Sequence, residues 1–208
     1  MMGPPGAGKG TQGEILARAL GIPRFATGDI LRHARREGTK MGREAQRFMD
    51  AGELVPDEVI LGIIGEVLQG EDTGDGFVLD GFPRTVAQAE GLGRILAELG
   101  IRLDTILNIS VEDEEIVHRL STRRVCSSCG IALSPDGESD EACPACGGSL
   151  VQRRDDGAET VRHRLVVYRE QTEPVLRWYR ASGARVVDVD GLGTVEEIRD
   201  RVQAGIGI

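Results

Sequence analysis

Aromatic residues are scarce in this chain: four Phe, two Tyr and one Trp make up 3% of 208 residues. So few flat rings leave little on which single-stranded bases could stack. Positive charge is in deficit, with 34 acidic residues against 25 basic ones and a net charge of −9. That balance opposes bulk binding to a nucleic-acid backbone. No apolar run approaches the roughly 18 residues that cross a bilayer, so no membrane span is expected. Residues 1–11 lack an apolar h-region, so no secretory signal is expected either. Lysine is almost missing: it stands only at Lys9 and Lys40, and the other 23 basic residues are Arg. Cysteine is confined to one window, Cys126, Cys129, Cys143 and Cys146, whereas disulfides that staple a fold spread along a chain. What remains is a globular composition, 40% hydrophobic and 28% charged. It suits one main domain with small inserts.

Apolar periodicity alternates between helix and strand. Helices are expected at residues 10–20, 27–36, 41–51, 57–69, 86–99, 112–120, 160–181 and 194–203. In the first, Ile15, Leu16 and Ala19 form the apolar face. Short apolar runs at 77–79, 105–111 and 185–189 read as buried strands. The alternation implies an α/β fold with a doubly wound parallel sheet covered on both faces. Residues 126–148 break the rhythm; they are polar and turn-rich, and read as a small insert.

The run Gly3-Pro4-Pro5-Gly6-Ala7-Gly8-Lys9-Gly10-Thr11 nearly matches a phosphate-binding loop. Small residues let backbone N–H groups turn inward around an anion, and the following helix points its positive end at the same place. Lys9 adds a mobile charge that can follow a migrating phosphoryl group. Gly10 departs from the general pattern, which has Ser or Thr there; the hydroxyl comes one place later, at Thr11. Asp80 ends a buried strand, so its carboxylate emerges near this loop. There it can hold water around Mg²⁺, or cap the helix that follows Thr85. Arg32 and Arg84 are candidates to grip a phosphate, because guanidinium forks bind its oxygens in pairs.

Cys126-Ser-Ser-Cys129-Gly130 and Cys143-Pro-Ala-Cys146-Gly147 are two C-x-x-C-G knuckles. Two such loops make a tetrahedral four-sulfur site, and four soft ligands with no open position imply structural zinc. Disulfides and a redox pair are the competing readings. His33, His118 and His163 have no ligand spacing and read as surface helical residues.

The run GPPGAGKGTQ, then TGDILR at 27–32, then LDGFPRT at 79–85 with Gln88, resembles the adenylate kinases. The resemblance covers almost the whole chain, insert included. It implies a P-loop fold with a core of residues 1–25, 56–121 and 157–208, a monophosphate-binding flap at 26–55 and a zinc-bearing lid at 122–156. It implies reversible transfer of the terminal phosphoryl of ATP to AMP, giving two ADP, with Mg²⁺ accompanying ATP. ATP would contact Gly6, Ala7, Gly8, Lys9, Gly10, Thr11, Arg123, Ala132, Leu133 and Gly193. AMP would contact Thr27, Arg32, Glu53, Leu54, Val55, Gly81, Phe82, Pro83, Arg84, Arg153, Arg164 and Gln88, the last on the adenine edge. Lys9, Arg84, Arg119, Arg123, Arg153 and Arg164 would be catalytic. Taken alone, several of these arginines are equally ordinary ion-pair partners, Glu115 with Arg119 for example. Asp155 and Asp156 would either pair with arginines on closure or hold the lid open. Leu133 stands where many relatives have an aromatic residue.

A kinase for another nucleoside monophosphate and a catalytically impaired nucleotide-binding protein are the alternatives. A cytoplasmic monomer without nucleic-acid or membrane partners is expected. Only Met1-Met2 precede the loop, where the family has about five more strand residues. The expectation is therefore that the true start lies upstream or that this form is compromised. Purified protein should carry one zinc per chain, and a strong chelator should lower its melting temperature; finding no metal by elemental analysis overturns the four-sulfur reading.

Overall fold

The computed structural model describes residues 1–70, 73–133 and 142–208, the side chains of Lys40 and Met41 excepted. The stretch 134–141 of the expected insert therefore lies outside the described residues. In chain order come α1 (Lys9–Leu20), β1 (Arg24–Ala26), α2 (Thr27–Arg36), α3 (Lys40–Ala51), α4 (Asp57–Gly70) and β2 (Val78–Asp80). Then follow α5 (Val86–Glu98), β3 (Ile106–Ser110), α6 (Asp113–Thr122), β4 (Arg124–Cys126), β5 (Ala132–Leu133) and β6 (Leu150–Val151). Last come α7 (Ala158–Val167), α8 (Glu173–Ala181), β7 (Val186–Asp190) and α9 (Val195–Ile206).

The sheet is parallel. β1 pairs with β2, Phe25 opposite Leu79, and β3 pairs with β7, Asn108 opposite Asp188. Met1 and Met2 lie between the two pairs. The Met2 N–H donates to Leu107 O at 2.7 Å, and Met2 O accepts from the Ile109 N–H at 3.0 Å. On the other side, the Gly81 N–H donates to Met1 O at 3.3 Å. Because successive strand residues point to opposite faces, β3 feeds two cores. Leu107 joins Leu16, Ala17, Val189, Ile198 and Val202 under α1 and α9. Ile106 joins Met2, Ala89, Val175, Leu176 and Tyr179 under α5 and α8. Both faces are covered, which is the doubly wound arrangement expected. A third core joins the 26–55 region to α4 and α5: Leu31, Ala45 and Val55 pack with Ile60, Ile64, Phe82 and Leu92.

Three expectations need correction. Residues 160–181 are helical throughout, as expected, but not as one regular α-helix: a π-helical turn, Tyr168–Thr172, divides α7 from α8. Pro174 is the cause, since it has no N–H to continue the ladder. The apolar face of α1 includes Leu16 but not Ala19, which is exposed; Gln12, Gly13 and Ala17 complete the buried stripe. Strand β1 was not anticipated, because three residues are too few to display a period.

The two helices α2 and α3 cross closely. A Cβ on Gly42 would sit 2.3 Å from both the carbonyl carbon and the oxygen of Ala34. Backbone cannot swing aside as a side chain can. Gly42→Ala gains up to about 1 kcal/mol of helix propensity. We nonetheless expect it to lower stability by about 1–3 kcal/mol through overpacking. A thermal melt reads the sign, and a raised midpoint would contradict the close approach.

Candidate functional site

The phosphate loop takes its shape from glycine. Gly3, Gly6 and Gly8 have φ of 134°, 82° and 92°, which side chains rarely adopt. At Gly3 a Cβ would also lie 2.2 Å from Ile109 O. Gly8 caps α1, whose first turn holds no acidic residue, so the positive helix end is not neutralised locally. Lys9 opens that helix and folds back, its Nζ donating to Gly3 O at 2.8 Å and Pro4 O at 2.6 Å. Gly10 and Thr11 are exposed beside it, and Ala7 is buried. Asp80 comes close to Gly10, as expected, but its Oδ2 already accepts from Arg24 Nη1 at 2.6 Å.

Next to the loop is a cleft enclosing about 590 Å³ of space, its open mouth included. Thr27, Arg32, Glu53, Leu54, Val55, Gly81, Phe82, Arg84, Gln88 and Arg164 line it, so the sequence brought most of the expected monophosphate set to one place. Leu31, Met49 and Ile60 form part of the wall and were missed; their apolar periodicity gave only a core signal. Thr27 Oγ1 donates to Gly81 O at 3.2 Å, tying the start of α2 to the end of β2. Arg84 Nε donates to the same carbonyl at 2.7 Å. Arg32 is held by Asp29 at 2.5 Å.

The insert's root supplies the remaining cations. Arg123 grips Asp156 with two bonds, 2.5 and 2.9 Å, and Asp156 is fully buried. Arg164 reaches Asp155 Oδ2 at 3.2 Å and Asp156 at 3.5 Å. Pairing, not repulsion, is thus the arrangement of the two aspartates. Arg153 Nε is buried with no hydrogen-bond partner among the described residues. Burial, then repulsion from Arg32 and Arg123, pushes the Arg153 guanidinium down to about 10. Arg84 is likewise pushed down to about 10, by burial and then by Arg164. An anion here would relieve both. Arg119 is placed differently: it pairs with Glu115 at 2.7 Å and donates to Gly191 O at 2.9 Å, beside the loop that carries Gly193.

The four cysteine sulfurs lie within 4.8 Å of one another. Cys126 Sγ is 3.4 Å from Cys146 Sγ, and Cys129 Sγ is 3.6 Å from Cys143 Sγ. A tetrahedral ion with metal–sulfur bonds of about 2.3 Å spaces its ligands in this way. Gly130 and Gly147 turn back behind each knuckle with φ of 77° and 70°. The N–H groups of Cys129 and Ser128 point at Cys126 Sγ at 3.4 Å and pull its thiol down to about 6. The donor set fits one soft metal ion. Ala132 and Leu133 form β5 in the small antiparallel sheet β5-β4-β6 that carries the knuckles.

Comparison with known proteins agrees with this geometry. The family model described as Adenylate kinase matches residues 1–184. A protein of Geobacter sp. (strain M21) named Adenylate kinase is 48% identical over 209 residues, covering 99% of this chain and 97% of the relative. Namesakes from Archaeoglobus fulgidus and Gemmatimonas aurantiaca are 48% and 49% identical, covering 98% and 100% of this chain and 94% and 98% of their own. The chain belongs to the adenylate kinase family. It is a P-loop phosphotransferase of the nucleoside monophosphate kinase class. No helix among the described residues is long and apolar enough to cross a membrane.

Adenylate kinases handle polyanions, and Lys9 is prepared for one. Burial, opposed by Asp80 and reinforced by Arg84, Arg164 and Arg123, pushes its ammonium down to about 7. Bound phosphate oxygens favour the charged form and raise that value. Above about pH 7 the free protein therefore has lost this proton and binding restores it; well below, Lys9 is already charged and no uptake occurs. Calorimetry of a non-hydrolysable ATP analogue at about pH 8, in buffers of different ionisation enthalpy, should report uptake approaching one proton that Lys9→Met removes. Equal uptake in the variant would contradict the assignment.

Proposed function

We propose that ATP lies along the phosphate loop and AMP in the adjoining cleft, and that the protein transfers the γ-phosphoryl reversibly between them. In this reading residues 26–55 are the monophosphate flap, residues 122–156 are the lid, and the rest is the core. ATP contacts Gly6 through Thr11, with Arg123, Ala132, Leu133 and Gly193 towards its outer parts. AMP is held through its phosphate by Arg32, Arg84, Arg153 and Arg164, and through its base by Gln88 with the backbone of Glu53, Leu54 and Val55.

An AMP phosphate oxygen attacks the γ-phosphorus, the bond from that phosphorus to the β,γ-bridging oxygen breaks, and the electron pair leaves on ADP. The nucleophile is already an anion, so no strong base is needed. The residues instead position the two nucleotides and neutralise charge that spreads over the migrating group. Lys9 follows that group, while Arg84, Arg123, Arg153 and Arg164 surround it. Arg119 would join them by leaving Glu115. Asp80 would hold the water of a Mg²⁺ carried with ATP, which would supply further neutralisation of phosphate charge. Closure of flap and lid excludes the water that would hydrolyse ATP. A structural Zn²⁺ on the four cysteines would organise the lid, which has little core of its own. A cytoplasmic monomer suits this set of small-molecule substrates.

The observation that carries the reading is the gathering of Lys9, Arg32, Arg84, Arg123, Arg153 and Arg164 about one cleft, with a buried Arg153 donor unpaired among the described residues. Such crowding of cations is unfavourable unless anions enter it. A coupled assay of ADP formed from ATP plus AMP with magnesium tests it. Turnover is expected, and Lys9→Ala should reduce it at least about hundredfold while the protein stays folded. Absence of ADP formation by intact, folded protein would end the reading.

A further inference from the structure

The geometry points to Asp57 as a positioning residue that selects adenine over 6-oxopurines by locking the direction of the Gln88 amide. The inference deepens the reading in which Gln88 faces the purine edge, and it rests on that reading.

Gln88 is 2% exposed and lines the cleft. A buried amide can ordinarily turn end for end, exchanging a donor for an acceptor. Here both ends have partners that cannot exchange roles. Gln88 Oε1 accepts from the backbone N–H of Arg84 at 2.7 Å, and a backbone N–H is only ever a donor. Gln88 Nε2 donates to Asp57 Oδ1 at 2.7 Å. The other Asp57 oxygen, Oδ2, accepts from Thr85 Oγ1 at 3.0 Å. Thr85 Oγ1 in turn accepts from the Gln88 N–H at 3.0 Å, as the cap of α5. The ring closes on itself: Thr85 fixes Asp57, Asp57 fixes the amide nitrogen, and Arg84 fixes the amide oxygen. Turning the amide over would set its oxygen against a carboxylate and its NH₂ against an N–H, leaving buried groups unsatisfied at both ends.

An amide fixed in this way has one N–H and one lone pair still unused, in a fixed order. Adenine offers a donor at its 6-amino group and an acceptor at N1. Hypoxanthine and guanine offer the reverse, an acceptor at O6 and a donor at N1. Arg32 and Arg84, holding the phosphate end, set the direction in which the purine edge runs. One amide order then matches one class of base, and a site with buried polar groups rejects the mismatched partner strongly. Asp57 touches no substrate in this account; it acts through Gln88.

The test compares AMP with IMP as acceptors, since IMP reverses the edge without adding guanine's 2-amino group. Asp57→Asn keeps the shape but can donate or accept towards Gln88, so the amide is held only from the Arg84 side. The ratio of kcat/KM for AMP to that for IMP should fall by on the order of tenfold. The change should sit in KM for the monophosphate, with KM for ATP unmoved. Thermal melting checks that the variant is folded. If Asp57→Asn lowers AMP and IMP use equally, Asp57 is only structural and the inference is overturned. Gln88→Ala separates the two levels. If it collapses the ratio while Asp57→Asn does not, Gln88 reads the base and the Asp57 lock fails. If Gln88→Ala leaves the ratio unchanged, the placement of Gln88 on the purine edge fails, and the lock with it.

Discussion

Like charges forced into one walled cleft repel, and that constraint organises this molecule. Lys9, Arg32, Arg84, Arg123, Arg153 and Arg164 come from the phosphate loop, α2, the end of β2, the root of the insert and α7. Arg32, Arg84, Arg123 and Arg164 each weaken the hold of another of these cations on its proton. The fold tolerates them because four aspartates are interleaved. Asp80 balances Lys9 and Asp29 holds Arg32, while Asp155 and Asp156 hold Arg164 and Arg123. The balance is incomplete by design of the chemistry: a full set of carboxylates would leave no attraction for a phosphate. The shortfall is concentrated at Arg84 and Arg153.

Residues 26–55 contribute to this balance by packing as well as by charge. Leu31, Ala45 and Val55 share a core with α4 and α5, so residues 26–55 are not a loosely appended arm. At the cleft mouth, Glu53 Oε1 lies 2.6 Å from His163 Nε2 on α7, the helix that also carries Arg164. His163 is a surface residue, as its lack of ligand spacing implied, but it bridges two elements far apart in sequence. Gly52 packs against Arg164 and Thr160 at the same seam. Residues 26–55 and the cationic wall therefore meet through small, specific contacts.

What the sequence made legible was whatever is encoded within a few residues. The phosphate loop is readable because its glycines and Lys9 must be contiguous, and the cysteine knuckles because two thiolates on one tight turn need fixed spacing. Parallel strands announced themselves as apolar runs, except β1, where three residues carry no period. Partnerships across the chain stayed hidden. Nothing near Asp80 in sequence signals that Arg24 would pair with it. Nothing near Gln88 in sequence signals that Asp57, 31 residues earlier, would grip it. The choice between attraction and repulsion at Asp155 and Asp156 depends on where Arg123 and Arg164 arrive, which is a property of the fold. The helix expected over 160–181 is present, and it widens to a π turn for a local reason that was in view: Pro174 interrupts the donor ladder.

Arg123 and Asp156 stand at the two ends of the insert, where the chain leaves the core and where it returns. Their two hydrogen bonds, with the carboxylate wholly shielded from water, cinch the stalk shut. Gln152 on Ser121 O and Arg164 on Asp155 brace the same seam. A disturbance among the cysteines, loss of a metal included, would travel through these braces to the guanidinium groups beside the cleft.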